Sequence, residues 1–122
     1  MIGKICSFSM PFYNIRTGAK SYKLRPALII YGPMDDEYTV LPVSTIKDSR
    51  HRHPKYDVKL DPANYPRLQL RDVSYVRTHK QATMHKTDLH CEISNMKTEY
   101  PEKYTELLQL TKEFNDEIRN AQ

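Results

Sequence analysis

The sequence predicts a mainly β fold, a small antiparallel barrel or strongly bent sheet that carries a C-terminal α-helix. The chain has 122 residues, a length typical of one domain with a sizeable core. Five or six short strand-like runs lie between residues 4 and 85, with no helical pattern between them. After Pro101 the apolar spacing becomes helical. We therefore expect a single domain over residues 1–122, with its terminal helix at about 99–120.

The first third of the chain is expected to contain two strands. Side chains alternate between two faces from residue 4 to residue 10, which predicts a strand. Residues 11–24 are mainly polar, basic and aromatic, and we expect a loop that is too long for a simple hairpin turn. The apolar run Ala27 to Tyr31 ends at Gly32-Pro33 and predicts a buried central strand.

Further strands are expected at short intervals. Acidic residues 35–37 should turn the chain so that residues 38–43 pair with the central strand as a hairpin. Apolar and charged residues alternate over 56–60, which predicts a half-buried strand. Residues 73–77 and 82–85 are expected to add two more strands, the last at an edge.

The last part of the chain is predicted to be an amphipathic helix. Pro101 suits its first turn, and Glu99 and Glu102 suit the positive end of the helix dipole. The sequence does not decide whether segment 89–96 is a strand, a short helix or a loop, because its helical spacing covers too few residues. The predicted apolar face of the helix consists of residues three and four positions apart: Tyr104, Leu107, Leu108, Thr111, Phe114 and Ile118.

Charge is unevenly distributed along the chain. Residues 1–98 carry a net charge of +7, whereas residues 99–122 carry −3. A basic body attracts polyanions, so the candidate partners are nucleic acid, an acidic protein segment or an anionic membrane surface. The alternative is that the charge only keeps the protein soluble. Only three glycines are present, which disfavours nucleotide folds with a phosphate-cradling loop.

Cysteine and histidine give no metal or redox motif. Cys6 and Cys91 are far apart and form no CxxC pair, so we expect reduced thiols in a cytoplasmic protein without a cofactor. No secretory signal is recognisable, and the longest apolar run, residues 26–31, is too short to span a membrane. The histidines at 51, 53, 79, 85 and 90 are expected to be solvated; a proton-transfer role is the main alternative, and a zinc site is disfavoured.

One constellation suits phosphodiester chemistry. Arg25 stands at the start of the central strand, and Ser44-Thr45 stands at the end of its predicted hairpin partner, so the three side chains should lie near one another. A guanidinium beside a hydroxyl can bind phosphate oxygens and stabilise a pentacoordinate transition state. The alternative is a surface ion pair of Arg25 beside a Ser-Thr turn.

Two segments resemble the MazF/PemK family of toxin endoribonucleases. They are Lys23-Leu24-Arg25-Pro26-Ala27-Leu28-Ile29-Ile30 and Val40-Leu41-Pro42-Val43-Ser44-Thr45, and the order of elements agrees over most of residues 3–115. The resemblance implies an SH3-like barrel, usually a homodimer, that cleaves single-stranded RNA without metal. It also implies an acidic antitoxin protein as partner. No membrane partner is expected, because the longest apolar run is too short to span a bilayer.

The resemblance assigns roles to individual residues. Arg25 matches the family's catalytic arginine, Ser44 stands where the family usually has its catalytic threonine, and Thr45 is the hydroxyl residue after it. Asp72 is a further catalytic candidate, although this chain has Arg71-Asp72 where the family commonly has Asp-Gln. The implied reaction is attack of the RNA 2′-hydroxyl on the adjacent phosphate, which leaves a cyclic phosphate or 3′-phosphate and a 5′-hydroxyl.

Basic and aromatic residues around these positions are predicted to bind RNA. Tyr13 and Tyr22 could both stack on unpaired bases, and packing in the core is the alternative for both. The opposing hypotheses are a catalytically silent barrel that binds nucleic acid or a protein, and a DNA-gyrase poison on the related barrel. The predicted RNA-binding residues are Tyr13, Arg16, Lys20, Lys23, Lys47, Arg50 and Arg52.

Overall fold

A curled antiparallel sheet of seven strands forms most of the protein. The computed structural model describes residues 1–122. The strand order is β4-β5-β3-β2-β1-β7, with β6 also paired to β3, and the two end strands do not pair, so that the sheet is a half-barrel. The strands are β1 (Lys4–Asn14), β2 (Ala19–Met34), β3 (Glu37–Ser44), β4 (Asp57–Leu60), β5 (Ser74–Arg77), β6 (Ala82–His85) and β7 (Leu89–Asn95).

Two helices follow the sheet, α1 (Met96–Glu99) and α2 (Pro101–Asn120). The predicted fold class, a small antiparallel barrel with a C-terminal helix, is confirmed. Pro101 occupies the first turn of α2, as the sequence predicts. The segment that the sequence left open, 89–96, is strand β7 followed by the start of α1. Neither helix combines the length and the hydropathy of a membrane span.

The prediction of a loop over residues 11–24 is wrong. β1 and β2 stay paired as far as Asn14 and Ala19, and only Ile15 to Gly18 form the turn. The long hairpin exposes aromatic and apolar side chains: Phe12 is 37% and Tyr13 68% exposed on β1, and Ile15 is 89% exposed in the turn. We call residues 11–24 the hairpin arm.

Both faces of the β1-β2 ladder are buried where it crosses the body of the protein. Ile5 pairs with Leu28, and both belong to the main core, on which α2 packs Tyr104 and Leu107. The next residue, Cys6, pairs with Ala27, and both lie on the opposite face of the ladder. There they belong to a second apolar cluster, to which β3 and β6 also contribute side chains. This burial on both sides is the reason that Ala27 to Ile30 is continuously apolar.

The β2-β3 hairpin positions the candidate site. Its turn contains two left-handed residues, Asp35 (φ 54°) and Asp36 (φ 63°), a conformation that aspartate tolerates better than most residues. The β2-β3 ladder ends where Ala27 pairs with Pro42, and the last two residues of β3 pair only with β5, on the opposite edge of β3. A gap therefore opens between the start of β2 and the end of β3.

Candidate functional site

A cleft of about 400 Å³ lies in this gap between β2 and β3. Its polar side chains are cations and hydroxyls, and no carboxylate lines it, so its chemistry suits an anion. The lining residues are Lys23, Leu24, Arg25, Pro26, Val43, Ser44, Thr45, Lys47 and Ser74.

The strand register explains why Arg25 and Ser44 share the cleft. Ala27 lies opposite Pro42, so two further residues of the same register would place Arg25 opposite Ser44. The β2-β3 ladder has already ended there, and Ser44 pairs only with Tyr75 of β5, on the other edge of β3. The proximity of Arg25 to Ser44 and Thr45 that the hairpin geometry predicts is therefore present, together with open space between them.

The cations of the cleft have no acidic partners. Arg25, Lys23 and Lys47 are exposed, and none takes part in any ion pair of the protein. Their charge is therefore available to a ligand rather than neutralised by the fold.

β5 contributes a hydroxyl that sequence reasoning missed. Ser74 lines the cleft and its Oγ donates to the main-chain oxygen of Asp72 at 3.0 Å. Asp72 itself is exposed and its carboxylate does not line the cleft. The sequence gives no signal for Ser74, because β5 reaches the site by pairing with β3, a strand that is not its neighbour in the chain.

The hairpin arm places three predicted RNA-binding residues beyond the cleft. Tyr13 lies directly opposite Lys20, so their side chains share one face of the arm, and Arg16 lies in the turn at its tip. All three are exposed, and none lines the cleft. Tyr22 is 67% exposed, so the core-packing alternative for both tyrosines is wrong.

The segment from β3 to β4, residues 45–56, also carries predicted RNA-binding residues, and we call it the basic loop. Arg50 is paired within this loop to Asp48, with an Nη2–Oδ2 distance of 2.8 Å. The Arg50 hydrogen bonds hold the pKa of Asp48 below its usual range. Arg52 has no acidic partner; it donates to the hydroxyl of Tyr75 and lies 5.1 Å from the centre of that ring.

A buried ion pair holds the basic loop on the sheet. The Asp57 carboxylate is fully buried and accepts from Arg77 Nε at 3.0 Å and from the main-chain N–H of His53 at 2.8 Å. Arg77 Nη2 also donates to the main-chain oxygen of His51 at 3.3 Å. Both ends of this pair therefore fasten the loop that carries Arg52. Asp57 and Arg77 are twenty positions apart in the chain, and sequence reasoning did not link them.

Histidine 79 lies behind this ion pair and not in the cleft. Its side chain is 11% exposed, its Nδ1 has no hydrogen-bond partner, and its ring packs against Tyr56 and Phe114. Burial holds the pKa of His79 below its ordinary value, with the nearby Asp57 carboxylate opposing that shift. No group of three or more His, Cys, Asp or Glu side chains converges as metal ligands do.

A larger cavity, of about 510 Å³, lies at the start of α2. Glu99, Glu102 and Glu106 line it together with one cation, Lys103, which pairs with Glu106, so the net charge of the lining is negative and repels a polyanion. Despite its size, it is a poorer candidate for nucleic-acid binding than the smaller basic cleft.

No protein-family model matches this chain, and it has no significant match among curated proteins. The functional assignment therefore depends on the cleft and on the residues around it.

Proposed function

We propose that the protein is a metal-independent endoribonuclease of the MazF/PemK type that cleaves single-stranded RNA. The observation that carries the proposal is the cleft, where Arg25 lies with Ser44 and Thr45 among unpaired cations and without a carboxylate. A phosphodiester is the ligand that this combination fits, because a guanidinium binds its two non-bridging oxygens and hydroxyls donate further hydrogen bonds to the same oxygens.

In the proposed reaction the RNA supplies its own nucleophile. The 2′-hydroxyl oxygen attacks the adjacent phosphorus and gives its proton to water, and the bond from phosphorus to the 5′-oxygen breaks. The leaving 5′-oxygen takes a proton from water, so that a cyclic phosphate and a 5′-hydroxyl result. Arg25 stabilises the additional negative charge of the phosphorane, and Ser44 donates a hydrogen bond to a non-bridging oxygen. Lys23 and Lys47 hold the flanking strand by charge.

The resemblance adds partners to this proposal. We expect a homodimer and an acidic antitoxin protein whose segment competes with RNA for the cleft. The unpaired cations of the cleft would attract such a segment as they attract a polynucleotide.

The test is cleavage of a long single-stranded RNA by the purified protein in EDTA. We expect cleavage by the parent protein and a loss of at least about 100-fold with Arg25→Ala, because one preorganised donor to a developing oxyanion contributes 10²–10³ in rate. Arg119→Ala is the matched control, since Arg119 is an exposed arginine near the end of α2. Equal cleavage by the Arg25→Ala and Arg119→Ala variants would refute the proposal.

A catalytically silent nucleic-acid-binding domain is the second candidate. It is favoured by one observation: neither a histidine nor a carboxylate lines the cleft as a general base. This alternative predicts RNA binding that weakens with salt and no product in the same assay.

A further inference from the structure

Arg52 is a cation that the fold holds in place without an ion pair, and the carboxylate that senses its charge, Asp48, is itself bound to Arg50. Its guanidinium lies over the ring of Tyr75 and donates to the Tyr75 hydroxyl, and it has no carboxylate partner. Arg50, two residues earlier, is neutralised by Asp48 and its side chain is 85% exposed. The two arginines of one loop therefore differ in the charge that they offer to a ligand.

The environment of Arg52 favours an anion. The residue is half-buried and Tyr75 is 7% exposed, so the guanidinium has lost part of its hydration without gaining a carboxylate. The ring and the hydroxyl orient it, which reduces the entropy lost when it binds a ligand. A phosphate oxygen would supply the charge-assisted hydrogen bonds that the tyrosine cannot.

The sheet places this arginine beside the cleft. Ser44 of β3, Tyr75 of β5 and Lys59 of β4 lie opposite one another in adjacent strands, so that their side chains share one face. Neighbouring strands are about 4.8 Å apart, so Tyr75 lies one strand from Ser44 and Lys59 lies two. Lys59 is exposed and has no ion-pair partner.

We propose that Arg52, positioned by Tyr75, forms a second phosphate-binding subsite next to the cleft. The inference deepens the proposed ribonuclease function and rests on it for the identity of the ligand, a single-stranded polynucleotide. The polynucleotide leaves the cleft across β5 in the direction of β4. Arg52 binds the phosphate next to the reacting one, and Lys59 lies further along the same path.

Binding of a single-stranded DNA oligonucleotide tests the subsite, because DNA lacks the 2′-hydroxyl and is not consumed. The dissociation constant is measured from 50 to 200 mM salt for the parent, Arg52→Ala and Arg119→Ala proteins. We expect Arg52→Ala to weaken binding about tenfold, as the loss of one charge-assisted contact does. Its salt slope should fall by about 0.7, the value for one phosphate contact on a single strand. Arg119→Ala, at the exposed end of α2, should change neither quantity, and equal losses in Arg52→Ala and Arg119→Ala would overturn the subsite.

Tyr75→Phe tests the positioning role, since it keeps the ring and removes the hydroxyl that accepts from Arg52. We expect a dissociation constant between those of the parent and Arg52→Ala, with the salt slope unchanged because the charge stays. Binding equal to that of the parent would overturn the positioning role of the hydroxyl. Unfolding by urea must show that both variants remain folded.

RNA cleavage separates this inference from the proposed function. If the parent cleaves, Arg52→Ala should raise KM about tenfold and change kcat less than threefold, because the subsite binds a phosphate that does not react. If the parent does not cleave, the ribonuclease proposal fails, while a salt-slope change confined to Arg52→Ala still supports the subsite.

Discussion

Replacement of Asp57 by alanine should destabilise the protein strongly, because it removes the anchor of the basic loop. The Asp57 side chain is fully buried and accepts three hydrogen bonds: two from Arg77, at 3.0 and 3.3 Å, and one from His53 N–H, at 2.8 Å. In its absence the Arg77 guanidinium and the His53 N–H lose their partner together.

The expected magnitude follows from the burial of the two partners. Removal of one member of a buried ion pair costs about 3–5 kcal/mol, mainly because the other charge is left without compensation. The Arg77 side chain is 26% exposed. It can therefore regain part of its hydration, so we expect a loss of about 3 kcal/mol, near the lower end of that range. For a domain of this size the melting temperature should fall by about 12 °C.

Urea unfolding followed by circular dichroism measures this loss. Asp57→Asn should lose less than Asp57→Ala, because the amide keeps the shape and one hydrogen-bond acceptor. Asp48→Ala is the matched control, since Asp48 pairs with an arginine that is 85% exposed and otherwise caps the N–H of Arg50, and we expect a much smaller loss than for Asp57→Ala. A loss below about 1 kcal/mol for Asp57→Ala would refute the claim that this pair anchors the loop.

Two further predictions concern the packing of α2 and its surroundings. Because burial lowers the pKa of His79 in the folded protein, its contribution to stability is complete above the unfolded value of about 6.5 and is lost as the pH falls below it. His79→Phe keeps the ring contacts and should flatten the dependence of unfolding free energy on pH between 7 and 5; a profile parallel to that of the parent would contradict this. Leu107 is completely buried and Leu108 is 36% exposed. Urea unfolding should therefore show a loss of about 3 kcal/mol for Leu107→Ala and less than about 1 kcal/mol for Leu108→Ala, and similar losses would show that the helix face is wrongly assigned.

Local patterns predicted the elements whose causes are local. The apolar run that begins at Ala27, the acidic turn before β3 and the helical spacing after Pro101 each depend on residues within a few positions, and the structure contains all three elements. The hairpin arm was missed because residues 11–24 do not alternate cleanly between apolar and polar. Their extended conformation comes from pairing between β1 and β2 and not from burial.

The cleft was partly predictable for the same reason. Arg25 and Ser44 belong to one hairpin, so their proximity follows from antiparallel pairing of two segments that are close in the chain. Ser74 and Tyr75 reach the site through the β3-β5 pair, which skips β4. Nothing local in the sequence specifies which non-adjacent strands pair.

The sequence by itself determined the mainly β fold with its terminal helix, the basic body and the arginine and hydroxyls that meet at the β2-β3 hairpin. Only the tertiary structure decided which cations have no acidic partner. Arg50 and Arg52 stand two residues apart in the sequence, yet Arg50 is neutralised by Asp48 of its own loop and Arg52 lies on a tyrosine of a distant strand. Charge pairing across strands depends on register and burial, and these are properties of the folded sheet and not of any short segment of the chain.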